Sequence, residues 1–158
     1  TDASEVGIWF YPEGEIPTQR MSGAIANNFN ISIPAGAKDH EMVVEVTVHE
    51  DAYLESFLPH MHFRGKRMRF KAIYPDGTEE LLLSVPNYSF NWQLNHRLEE
   101  PLLVPAGTKI QAIGAFDNSR QNEYNPDPDS EIFWGEQSSE EMFMGFYSWK
   151  NADQAGAH

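Results

Sequence analysis

Cysteine is absent from the 158-residue chain. Its absence removes disulfides, cysteine-ligated zinc, thiol catalysis and the cysteine-ligated blue-copper centre together. No apolar run reaches the length of a membrane-spanning helix, so no membrane span is expected. Basic residues are scarce: 11 Lys plus Arg stand against 24 Asp plus Glu, a formal net charge of -13. Nucleic acids and anionic membrane surfaces call for the opposite sign, and both are set aside as partners. The chain opens TDASEVGIW, without a basic-then-apolar leader, so any signal peptide is expected to be absent or already removed. The expected location is periplasmic or extracellular. No long segment repeats apolar residues at the helical period.

Strand signals fill the space left by helices. The chain is 41% hydrophobic and 13% aromatic, enough for one domain with a sizeable core, expected over residues 1–150 with a disordered tail at 151–158. VVEVTV at 43–48 alternates, and 53–58 follows after a short acidic turn. Met68, Phe70, Ala72 and Tyr74 share one face of a strand over 67–74. PDG at 75–77 turns the chain into a returning strand at 81–85. Further strands are expected at 92–98, 109–116, 131–134 and 142–149, with a PAGT turn at 105–108 and one helical turn in SSEEM at 138–142. Short strands separated by Gly and Pro indicate an all-β, antiparallel sandwich.

The chemistry-bearing residues are few. PHMHFRG at 59–65 sets His60 and His62 two apart, so on a strand they share a face, with Cβ atoms roughly 6.5–7 Å apart. That spacing lets two imidazoles converge on one metal ion. Arg64, Lys66, Arg67 and Arg69 read as the solvated face of a half-buried strand. His40, His49 and His96 each read as structural or surface histidines, His96 in a strand with Trp92, Leu94 and Leu98. His158 is the last residue and carries no weight. Asp127, Asp129 and Glu131 alternate in an oxygen-rich loop, but the glycine of an EF-hand loop is missing and the Pro-containing steps favour turns. Met142 and Met144 lie in EEMFMGFYSW, where the ordinary role is core packing. As a ligand, a thioether favours copper(I) over zinc or magnesium.

LPHMHFRGK, NWQ, EPLLVPAGT, AFDNS, NPDP, WGEQ and EEM, in that order, resemble the C-terminal domain of the copper type II, ascorbate-dependent monooxygenases. That family includes peptidylglycine α-hydroxylating monooxygenase and dopamine β-monooxygenase, and the likeness is closest to its bacterial relatives. It runs from about Ile31 to Trp149. The resemblance implies a β-sandwich of jelly-roll type holding one copper through H-x-H and a distant E-M methionine: His60, His62 and Met142, with Met144 as the register-shifted alternative. It also implies dioxygen activation for hydroxylation of a C–H bond in a small-molecule or peptide substrate, with ascorbate or another reductant. A second electron would come from an N-terminal copper domain or a cytochrome domain. The chain has room for one of the two domains and lacks the His-His pair of the N-terminal site. It is therefore expected to be an excised half of a larger protein or a single-copper protein. The alternative from another class is a non-enzymatic copper-binding, storage or electron-transfer module using the same residues.

Overall fold

The computed structural model describes residues 3–155. In chain order its elements are β1 (Ser22–Asn27), β2 (Ser32–Ile33), β3 (His40–Thr47), β4 (Ala52–Met61), β5 (Gly65–Ile73), β6 (Glu79–Val85), β7 (His96–Val104), β8 (Lys109–Phe116), β9 (Ile132–Phe133), β10 (Phe143–Asn151) and α1 (Ala152–Ala155). One four-stranded sheet has the order β1-β10-β4-β7 and the other β3-β8-β5-β6, while β2 and β9 form a small pair. Every pairing of these strands is antiparallel.

The two larger sheets pack face to face around one apolar core. Met68, Phe70 and Ala72 of β5 and Ile110, Ala112 and Phe116 of β8 are buried, as the alternation in sequence predicts. Opposite them lie Leu54, Phe57 and Met61 of β4 and Phe143 and Tyr147 of β10. Aromatic rings lock the layers together: Phe57 meets Phe70 at 4.9 Å between centres, and Phe116 meets Phe143 edge-on at 6.2 Å. Gly145 lets the sheets approach, since a Cβ there would stand 2.6 Å from the Phe70 ring.

Two local expectations change. Residues 92–95 form a loop, and β7 begins only at His96, opposite Phe57. SSEEM makes no helical turn: Glu140 donates its backbone N–H to the Gln137 carbonyl in a hydrogen-bonded turn, and its carboxylate caps Gln137 N. Position 151, where the tail was expected to start, is the last residue of β10 and leads into α1. Residues 156–158, including His158, lie outside the described residues. No helix among the described residues is long and apolar enough to cross a membrane.

Phe116 is fully buried. Phe116→Ala should therefore lower the unfolding free energy by about 3–5 kcal/mol, read from denaturant unfolding followed by tryptophan fluorescence. A change below about 1 kcal/mol would contradict the core position of this ring.

Candidate metal centre

His60 is the penultimate residue of β4, and His62 follows the strand end. His62, Phe63, Arg64 and Gly65 then form the turn that carries the chain to β5 in the other sheet, closed by Gly65 N–H on the His62 carbonyl at 3.1 Å. Alternation sends Met61 into the core, where it is fully buried, and keeps the two imidazoles together. Their ring centres are 5.3 Å apart and nearly perpendicular.

That separation fits a shared metal. With metal–nitrogen bonds of about 2 Å, an ion lies about 3.1 Å from each ring centre, so two imidazoles can share it up to a centre separation of about 6.2 Å. Their hydrogen bonds fix the tautomers as well. His60 Nδ1 lies 2.7 Å from Gln93 Oε1, and Gln93 is held amide-side-in because its Nε2 donates to the Phe90 carbonyl at 2.8 Å. His62 Nδ1 lies 3.2 Å from the Glu140 carbonyl. Both partners are acceptors, so each Nδ1 carries the proton and each Nε2 keeps its lone pair. An acceptor on the far nitrogen is the usual support of a metal-binding histidine. Burial pushes the His62 imidazole below its ordinary pKa, the Glu140 carbonyl opposes this in part, and His60 adds to it. A depressed pKa keeps the ring neutral, the form a metal needs.

The loop between β6 and β7 supplies the outer wall. At Met61 the β7 neighbour has run out, and the Tyr88 hydroxyl replaces it, accepting from Met61 N at 3.0 Å and donating to Met61 O at 2.5 Å. Gly65 permits this approach, since a Cβ would stand 2.7 Å from the Tyr88 ring. Phe90 packs edge-on against His62, with ring centres 5.8 Å apart.

Among the described residues no group of three or more His, Asp or Glu that could hold a metal ion occurs, so a third donor to join the two imidazoles is sought among the thioethers. The thioethers lie at the start of β10 and just before it: Met144 is in the strand and Met142 precedes it. Met144 is the cross-strand partner of His60, and Phe143 that of Met61, where the ladder ends; Met142 is the residue just before β10 and His62 the residue just after β4. Both methionines are half-buried on the outward side, flanking the fully buried Phe143.

Glu141 was absent from the expected set, yet it organises the site. Its fully buried carboxylate accepts His62 N–H on Oε2 at 2.7 Å and Arg64 N–H on Oε1 at 2.6 Å. Burial pushes this carboxyl up to about 7 despite those bonds and the nearby Arg64 charge. Arg64 also departs from expectation: it is fully buried, not part of a solvated basic face. Its Nε donates to Asn118 Oδ1 and its Nη1 to the Ser139 carbonyl, both at 2.8 Å. Arg67 does face solvent, paired with Asp39 and Glu41.

The other candidates lie elsewhere. His40 heads β3 opposite Phe116, His49 follows β3, and His96 pairs with Phe57 three residues before His60. In the acidic loop Asp129 is held by Arg120 and Glu131 by Ser32, so those carboxylates do not converge.

Replacing Glu141 by Gln leaves one acceptor oxygen and an NH2 group before two buried N–H donors. Glu141→Gln should cost the metal-free protein about 1–3 kcal/mol in urea unfolding while the far-ultraviolet spectrum stays all-β. An unchanged midpoint would contradict the bridging role. Searched against family models and curated proteins, the chain matches neither.

Proposed function

We propose that the chain is a mononuclear copper-binding domain, the oxygen-activating half of a copper-dependent monooxygenase that hydroxylates a C–H bond. One observation carries the reading: two imidazoles 5.3 Å apart, each with Nδ1 against an acceptor, with Met144 opposite His60 across the β4–β10 ladder and Met142 just before β10. Neutral nitrogen and thioether donors together suit an ion that cycles between copper(I) and copper(II), and suit hard divalent ions poorly. Bound copper would supply one-electron chemistry and dioxygen activation.

The chain's own residues provide the rest. His60 and His62 would hold the ion, with Met142 as the sulfur ligand that the E-M resemblance assigns. Gln93 and the Glu140 carbonyl orient the rings, and Glu141 fixes the turn that carries His62. Phe90 covers His62 and Phe146 lies 6.2 Å from His60, so aromatic surface limits water on two sides. The jelly-roll connectivity, the electron-supplying partner domain, the reductant and the extracytoplasmic location belong to the same proposal and rest on the sequence resemblance.

The purified domain should bind one copper per chain, measured by metal analysis after dialysis. The His60→Ala, His62→Ala double variant should lose stoichiometric copper yet keep its unfolding midpoint. An unchanged copper-to-protein ratio in the double variant would end this reading. X-ray absorption of the reduced protein should show a sulfur scatterer that disappears in Met142→His and persists in Met144→Leu. A signal that follows Met144 instead would move the ligand two residues on, into β10, and no sulfur signal in the wild type would remove the thioether from the site.

A further inference from the structure

We propose that the apolar groove on the outward face of β1, β10 and β4 is the substrate groove of this centre, and that it selects an uncharged molecule with an alkyl or aromatic body. The inference rests on the copper reading of His60 and His62. Strand register lays the face out in rows. Met144 stands between His60 and Asn27, Phe146 between Leu58 and Ile25, and Ser148 between Ser56 and Gly23. Residues two apart on a strand share a face, so the three rows form one continuous surface that starts at the histidine.

The second and third rows line a groove of about 620 Å³, within the size range of small-molecule sites. Phe146 joins it to the metal end through its edge-on contact with His60. The chain carries a net charge of -13, yet no Asp, Glu, Lys or Arg lines this groove. Ser56 and Ser148 bond each other through their hydroxyls at 2.6 Å, which uses one of their two O–H donors, so the groove's polar side chains, with Asn95 and Tyr147, are all neutral. A charged ligand seated here would lose hydration without finding a partner. Alkyl or aromatic surface would instead be buried against Ile25, Leu58 and Phe146. A side chain at Gly23 would project into open space on this face, since a Cβ there would meet nothing within 4 Å.

Benzyl alcohol, benzoate and benzylammonium share one aromatic body and differ in charge, so they serve as probes. Nuclear magnetic resonance titration of the metal-free protein should show saturable benzyl alcohol binding, about tenfold or more tighter than either ion. Gly23→Leu, whose side chain enters open space, should weaken it by a similar factor with the far-ultraviolet spectrum unchanged. Ile25→Asp, at a position 42% exposed, should shift the preference toward benzylammonium. Copper(II) loading should shorten the relaxation times of bound benzyl alcohol in the wild type and leave them unchanged in Gly23→Leu. Equal affinity for the three probes, or no saturable binding, overturns the proposal. Selective binding without copper-induced relaxation, in protein holding one copper per chain, overturns the groove as the substrate site while the copper reading stands. Selective binding by a chain that takes up no copper overturns the copper reading and, with it, the groove's role as that centre's substrate site.

Discussion

The Glu141 carboxylate joins two segments that are 77 to 79 residues apart in sequence, taking the backbone N–H of His62 on one oxygen and that of Arg64 on the other. The rest of this end of the sandwich depends on that bridge. It fixes the turn after β4, and with it the position of His62 relative to His60. It also anchors the chain just before β10, in which Met144 pairs with His60. Burial strips the carboxylate of hydration and pushes its pKa up to about 7. Two N–H bonds and the buried Arg64 charge offset part of that cost.

A second layer of contacts removes freedom from the side chains around this turn. Gln93 would be free to rotate without its bond to the Phe90 carbonyl, and His60 would then have no defined tautomer. Asn118 plays the same part for Arg64, accepting from Nε while its own amide donates to the carbonyls of Pro34 and Ser130. The imidazoles are thus preorganised in the metal-free chain. On the copper reading, little ordering would remain for the ion to impose, which would favour tight binding from only three protein donors.

Much of this was legible in the sequence, and the failures have physical reasons. Two-residue alternation at Met68, Phe70 and Ala72, and at Ile110, Ala112 and Phe116, marked the inward faces because a pleated strand imposes that period. The same rule brought His60 and His62 together. It failed at Trp92 and Leu94, which alternate like a strand but lie in a loop that crosses the end of β4. Arg64 looked solvated because a charge beside Lys66 and Arg67 ordinarily is; its burial depends on Asn118 and Ser139, both distant in sequence. Glu141 read as part of the SSEEM turn and of the E-M run, not as a buried bridge to the turn after β4. The signal for these residues lay inside the motif runs: Gln93 in NWQ, Asn118 in AFDNS, Arg64 in HFRG and Glu141 in EEM each hold the site through a hydrogen bond. Spacing identifies residues that share a face, but polar partners brought together by a turn or a crossing loop leave no period to detect.

The central claim is that both imidazoles present an unprotonated Nε2 before any metal arrives. Long-range proton–nitrogen correlation spectra of the histidine side chains in the metal-free protein test it most directly. At neutral pH, His60 and His62 should both appear as the Nδ1–H tautomer, and Gln93→Leu should release His60 alone into a tautomer mixture. Nε2–H tautomers for either ring in the wild-type protein would contradict it.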